Sequence, residues 1–152
     1  MIKSEKLRII LASKSPRRKE LLERLKVNFT VIPSDVKEYY PDGLGCKDVA
    51  VFLSRKKAEA YGVINDDTIL LIACDTLVCL KGEILGKPAG YNDAVKMLVQ
   101  LSGNMHEVIT AVTLRSSKKI KSFYVSSKVY FKSLDIDDIK EYVRKWRPFD
   151  KA

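Results

Sequence analysis

Apolar and polar positions along this chain switch repeatedly between two periods. Leu7 to Ala12 is a mostly apolar run, the pattern of a buried strand, and after Pro16 the leucines at 21, 22 and 25 take helical spacing. The first helix is therefore expected over Pro16–Leu25, with Ser15 as its cap and proline in the first helical position. Val27–Ile32 alternates as a strand. Pro33 to Gly45 is a polar loop, and Asp48 is expected to cap a helix running to Ala60 or Tyr61, stopped by Gly62. Ile69–Ala73 reads as a fully buried strand, continued by Leu77–Leu80. A turn at Lys81-Gly82-Glu83 then returns the chain through Ile84-Leu85. Asn92 is expected to cap a helix to Leu101, closed by Gly103. Strands follow at Glu107–Leu114 and Phe123–Phe131, with a turn at Ser116 to Lys119. Asp135 caps a last helix, Ile136–Trp146. Helices and strands alternate but hairpins are present, so the expected sheet is mixed and the fold class α/β.

Two stretches of this pattern carry chemistry. The first is the strand-to-helix junction Ser13-Lys14-Ser15-Pro16-Arg17-Arg18. A helix N-terminus presents unpaired N–H groups and the positive end of a dipole, and the hydroxyls and guanidinium groups add donors suited to phosphate. The same residues also make an ordinary capped helix with solvated arginines. The second is Ala73 to Pro88, in which Asp75 follows five apolar residues at the end of a buried strand, where open α/β sheets place ligand-handling groups. A carboxylate there is costly unless it is hydrogen-bonded, paired or bound to metal. It suits a magnesium ligand or a base toward water, or else a turn-forming aspartate. Lys87 sits between Gly86 and Pro88, able to offer a fixed positive charge or to remain a surface residue.

Charge sharpens this reading. The 152 residues carry a net charge of +9, spread unevenly: residues 1–60 hold 14 basic and 8 acidic side chains, residues 61–110 hold 3 and 6, and residues 111–152 hold 11 and 5. A basic chain favours an anionic partner, either nucleic acid or a phosphorylated small molecule. The two basic segments contain no nucleic-acid module, so nucleic acid ranks last. No apolar stretch approaches the ~20 residues of a membrane helix, and Met1 to Lys6 lacks the apolar centre of a secretory signal, so a cytoplasmic protein without a membrane partner is expected. Three cysteines at uneven spacing argue against a disulfide framework, and Cys74 and Cys79 are expected to be buried thiols. With His106 the lone histidine, a zinc site is not expected.

In order and spacing, LASKSPRRKELL, ACDTLVCLKGEILGKP, LSGNMHEVITAVTL and the closing DKA resemble the Maf family of nucleoside triphosphate pyrophosphatases. The resemblance covers nearly the whole chain, as one domain over residues 1–152. Its S-x-S-P-R-R form is similar to the branch that prefers dTTP and UTP. It implies an elongated mixed sheet flanked by helices, with a nucleotide cleft of the inosine-triphosphatase-like type. It also implies hydrolysis of dTTP, UTP and modified pyrimidine triphosphates between the α and β phosphorus atoms, assisted by a divalent cation, Mg²⁺ or else Mn²⁺ or Co²⁺. By resemblance Asp75 is the proton acceptor, and Asp75 and Glu38 are the metal-binding carboxylates. Lys87 is the cation of the G-K-P loop and joins Asp75 and Glu38 as catalytic. Ser13, Arg17, Arg18, Lys57 and Thr76 fall on substrate-binding positions.

Lys37 stands where the family has an acid, which leaves Asp35 and Glu38 to carry the negative charge of that loop. Lys56, His106 and the basic run Arg115, Lys118, Lys119 and Lys121 are read as structural or solvated. Family members continue past D-K-A into G-x-Y-G-I-Q, a segment with a substrate-contacting glutamine. This chain is accordingly expected to be less stable than a longer member and weakly active or inactive, which a turnover comparison with an extended chain tests. The resemblance admits a homodimer. The alternative function is an inactive nucleotide-binding or cell-division regulatory protein on the same fold.

Overall fold

The computed structural model describes residues 7–151. Its elements are β1 (Arg8–Leu11), α1 (Pro16–Arg24), β2 (Phe29–Val31), α2 (Cys46–Glu59), β3 (Ile69–Leu80), β4 (Glu83–Leu85), α3 (Tyr91–Leu101), β5 (Met105–Arg115), β6 (Ile120–Tyr130) and α4 (Ile136–Trp146). The strands form one six-stranded sheet in the order β2-β1-β3-β5-β6, with β4 also on β3. β1 runs parallel to β2 and to β3, while β4 is antiparallel to β3, so the sheet is mixed as expected. Among the described residues no helix is long and apolar enough to cross a membrane.

The chain divides into two compact units. The first comprises the residues up to Asp75 with Thr110–Tyr124. Here β1 feeds a parallel register with β3, Arg8 to Ile69 through Leu11 to Ile72. α2 buries Cys46, Val49, Ala50, Leu53, Ser54 and Ala58, a stripe at spacings of three and four that marks an amphipathic helix. Ile10, Ala12, Ala58, Ile64, Leu71 and Ala73 form its core cluster, flanked by Tyr61 and Ile69. A chain of hydroxyls runs through this unit: buried Ser54 Oγ lies 2.8 Å from buried Thr113 Oγ1, itself 2.8 Å from Oγ of the half-buried Ser122. Ser54 also donates to the Val51 carbonyl at 2.9 Å, so the group satisfies itself internally.

The second unit holds Thr76–Ile109 and the residues from Val125 onward. α3 and α4 pack together, with Ala94, Ile139 and Val143 buried. Asp135 caps α4 by accepting the Asp137 N–H at 2.8 Å, and the helix spans the expected residues. α3 closes at Gly103, whose φ of +68° favours glycine and where a Cβ would sit a tight 3.3 Å from the Ser133 hydroxyl.

Several expectations shift. Ser15 occupies the cap position of α1 but makes no side-chain cap bond. α2 starts at Cys46 behind Gly45, so Asp48 lies inside its first turn, favourable to the helix dipole, and is not the cap. α3 likewise starts one residue before Asn92, and Asp93 takes the Ala89 N–H at 2.9 Å. Cys74 is a free buried thiol as expected, while Cys79 is buried but disulfide-bonded and so not the thiol expected. Arg115 is not merely solvated, since it donates to the Ala58 carbonyl at 2.9 Å near the end of α2, and Lys118 pairs with Asp67.

Candidate active site

The site is built where β1 leaves the sheet. The parallel ladder between β1 and β3 includes the bond from Arg8 N–H to the Thr68 carbonyl, and its last rung is Ala12 N–H to the Ile72 carbonyl, each at 2.8 Å. Ala12 turns away, and α1 begins at Pro16. β3 runs on to Leu80, so Asp75 sits inside the strand, past the end of its neighbour, and not at the strand's own terminus as the sequence suggested. The early departure of β1, not the end of β3, leaves this carboxylate beyond the last paired residue of the neighbouring strand.

Asp75 is 4% exposed. Lys57 donates to its Oδ1, while Oδ2 is buried without a partner. Burial pushes the carboxyl above its ordinary pKa, and the Lys57 bond and charge oppose that shift. Lys57 belongs to the buried stripe of α2, four residues after Leu53, and its side chain is 13% exposed. The same ammonium donates to Glu38 Oε1 at 3.0 Å, so one lysine gathers two carboxylates from separate elements.

Glu38 lies in the loop after β2, and α2 holds that loop. Ser34 Oγ donates to the Lys57 carbonyl at 3.1 Å. Lys56 Nζ donates to the Lys37 and Tyr39 carbonyls, at 2.9 and 3.0 Å, and lies 5.7 Å from the Tyr39 ring centre. Lys56 was expected to be a solvated residue; it instead pins the backbone on both sides of Glu38. The adjacent lysines divide the work because consecutive helical residues point about 100° apart. Asp35 stays at the surface in a loose 3.6 Å pair with Lys14.

Ser13, buried at the end of the β1 turn, accepts the Ser15 N–H at 3.2 Å and an Arg18 Nη1 hydrogen at 3.2 Å. Arg18 Nη1 also donates to the Cys74 carbonyl at 2.9 Å. Arg17 is exposed and has no side-chain partner among the described residues. Beside the carboxylate, burial pushes the Cys74 thiol up, so it remains a neutral thiol and not a thiolate nucleophile. The first unit thus brings together Ser13, Arg18, Glu38, Lys57 and Asp75. Thr76 and Lys87 belong to the second unit, the first half-buried in β3 and the second exposed in the loop after β4.

His106 is in the second unit, 5% exposed, in the wall of an apolar cleft of ≈ 230 Å³ with Leu85, Met97 and Phe131. Its ring meets Phe131 edge to face at 5.0 Å, its Nδ1 has no partner, and burial lowers its pKa.

Among the described residues no three histidine, cysteine or acidic side chains cluster as a metal cage. What the first unit offers is narrower: two carboxylates meeting at one ammonium, one of them with an unpartnered oxygen. That donor set fits an ion that takes one or two protein carboxylates and draws its remaining ligands from water and phosphate.

The profile of the family described as "Maf-like protein" matches residues 8–152. A protein of Bacteroides thetaiotaomicron called dTTP/UTP pyrophosphatase is 47% identical over 150 residues, covering 97% of this chain and 77% of that protein. One of the same name from Clostridium tetani is 45% identical over 151 residues, with 96% and 78% covered. Among solved structures, the Ham1 protein of Staphylococcus aureus superposes with a TM-score of 0.54 at 16% identity, over 81% of this chain and 71% of that one. A Coxiella burnetii HAM1 protein gives 0.53 at 16%, over 82% and 72%. At that identity the likeness is one of fold.

Proposed function

The chain belongs to the Maf family, and we propose that it is a nucleoside triphosphate pyrophosphatase, cutting dTTP and UTP, and modified pyrimidine triphosphates with them, to the monophosphate and pyrophosphate. The relatives at 44 to 47% identity named dTTP/UTP pyrophosphatase support the substrate class. One observation carries the chemistry: a buried carboxylate with one oxygen held by Lys57 and the other without a partner.

In this reading Asp75 Oδ2 accepts the proton of the attacking water, and burial raises its basicity for that purpose. Lys57 fixes the carboxylate's orientation and holds Glu38 beside it. The start of α1 receives the polyphosphate: Arg17 offers an unpaired guanidinium, and the first N–H groups of the helix add donors. Ser13 shapes the turn that presents them. Thr76 and Lys87 complete the proposed substrate and catalytic set. Glu38 and Asp75 are the groups that would hold a divalent cation such as Mg²⁺, which when bound supplies positive charge to the phosphate oxygens.

The test is a panel of triphosphates with Mg²⁺, Mn²⁺ or Co²⁺, scored for products. Monophosphate plus pyrophosphate from dTTP and UTP, lost in Asp75→Asn, is the expected result. Diphosphate plus phosphate, or binding of dTTP without turnover, would instead favour a different hydrolase or the regulatory alternative. Mass in solution with and without nucleotide tests the homodimer.

A further inference from the structure

We propose that Arg115 is a positioning residue for this site: from the end of β5 it closes the last turn of α2 and so keeps Lys57 extended to Asp75 and Glu38. The inference rests on the reading of Asp75 as the reacting group.

Lys57 stands where a helix is least secure. α2 ends at Glu59, so Lys57 lies in its last turn. The last carbonyls of a helix have no partner inside it, and such ends fray. Here the final internal bond runs from the Ala60 N–H to the Lys56 carbonyl at 3.0 Å. The next three carbonyls are each answered from outside the helix. Ser34 Oγ donates to that of Lys57 at 3.1 Å, Arg115 Nη1 to that of Ala58 at 2.9 Å, and the Gly62 N–H to that of Glu59 at 3.0 Å. Gly62 belongs to the chain's own next turn, and Ser34 to the irregular loop that carries Glu38. Of the three donors, Arg115 is the one that comes from the sheet.

Its place on β5 follows from two periods that match. Thr113 and Arg115 are two residues apart on a strand and share a face, while Ser54 and Ala58 are four apart on a helix and share a side. Two strand residues cover about 6.5 Å and four helical ones about 6 Å. The buried Thr113 hydroxyl meets that of Ser54 at 2.8 Å, and one step further Arg115 meets the Ala58 carbonyl. β5 thus grips α2 at two successive levels, and Lys57 lies at the second. That second grip is charged, a guanidinium set against the negative end of the helix dipole. Among the described residues the guanidinium bonds only the carbonyls of Ala58 and, at 3.5 Å, Glu59, so its influence on the two carboxylates passes through the helix. When the turn opens, Lys57 is carried off with its own backbone, and Asp75 Oδ1 loses the bond that orients it.

The experiment asks whether Arg115 acts through Lys57. It measures kcat and KM for dTTP with Mg²⁺ in Arg115→Met, Lys57→Met and the double variant, and amide hydrogen exchange along α2 in the parent and Arg115→Met. Arg115→Met is expected to lower kcat by about tenfold with KM within about threefold, but by no more than about twofold where Lys57 is already methionine. Exchange at the amides of Lys57 to Ala60 should quicken by about tenfold or more, with those of Val51 to Leu53 unchanged. Arg115→Lys, which keeps a cationic donor, should regain at least about a third of the parental kcat. If Arg115→Met does not fold, Arg115→Gln is read by the same two measurements. Equal falls in kcat in both backgrounds, a parental kcat in the single variant, or unchanged exchange in the last turn overturns the proposal. Failure of the unsubstituted protein to release pyrophosphate would instead remove the reading of Asp75, and the exchange alone would then decide whether Arg115 holds the turn.

Discussion

Two buried side-chain atoms lack a partner among the described residues, Asp75 Oδ2 in the first unit and His106 Nδ1 in the second. They are equally hidden, yet their surroundings differ in kind. Asp75 has an ammonium bonded to its other oxygen, a second carboxylate on that ammonium, and the arginine on the preceding carbonyl. His106 has an aromatic edge and an apolar wall. Burial acts on both by disfavouring charge, raising the acid and lowering the base. At Asp75 this opposes a lysine placed to keep the charge; at His106 nothing opposes it. An orphaned polar atom thus marks chemistry when fixed charges surround it and marks packing when they do not.

The largest expected effect tests the first half of that contrast. Asp75→Asn removes the proton acceptor and should lower pyrophosphate release by about 10³-fold, within the range that general-base groups contribute. It should not lower the melting temperature at neutral pH in the presence of a chelator. The folded carboxyl has a raised pKa, so the folded state binds its proton more tightly than the unfolded chain does. The stability this confers is full below the ordinary carboxylate pKa and is lost as pH rises through the raised value. The asparagine variant escapes that loss, and its advantage should grow between acid and neutral pH. A large drop in melting temperature at pH 7 would mean that Asp75 holds the fold and not the chemistry.

Lys57→Met comes next. Without the ammonium, burial is less opposed and the Asp75 pKa rises further, so the acid limb of the kcat/KM profile should move to higher pH. Activity at pH 7 should fall by about tenfold or more, as a base with a higher pKa is protonated more of the time. An unmoved acid limb would separate Lys57 from the group that titrates. Lys56→Met should do much less. Its two exposed carbonyl contacts flank Glu38, and at about 0.5 kcal/mol per hydrogen bond, about 1 kcal/mol for the pair, their loss should raise the cation concentration for half-maximal activity by about fivefold. Here kcat at saturating cation is expected to hold, and a fall in kcat without a shift in cation demand would deny Lys56 its part in placing Glu38.

The contrast between these lysines also shows what was legible in the chain. α4 could be read to the residue because its cap is local: Asp135 bonds a group two residues away. Asp75 could be singled out because a charge inside Ile69–Leu80 breaks an apolar run. Its position relative to β1 could not, since that depends on where a strand some 60 residues earlier turns off. Lys57 and Lys56 were separable in principle, for the stripe through Cys46, Val49, Ala50, Leu53 and Ser54 predicts which of the pair faces inward. What Lys56 holds was not, because its partners are backbone carbonyls in an irregular loop with no periodicity to read. Arg18 was hidden for the same reason: its acceptor is the Cys74 carbonyl, and any residue type offers a carbonyl.

The smallest effect on turnover, and the sharpest test of the second half of the contrast, is His106→Leu. Leucine is close to histidine in volume and has no nitrogen to leave unpaired, but it gives up the edge-to-face contact with Phe131, worth about 0.5–1.5 kcal/mol. Turnover should stay within about twofold of the parent, because nothing charged depends on the ring. Stability should separate the two proteins by pH. The folded pKa of His106 lies below its ordinary value of 6.5, so the unfolded chain takes up the proton first. The stabilisation is complete above the unfolded pKa and drains away as pH falls through the depressed folded value. The parent should therefore lose melting temperature on acidification from pH 7.5 to 5 more steeply than the leucine variant, and a difference that is flat across that range would show that the ring is not held neutral by its apolar wall.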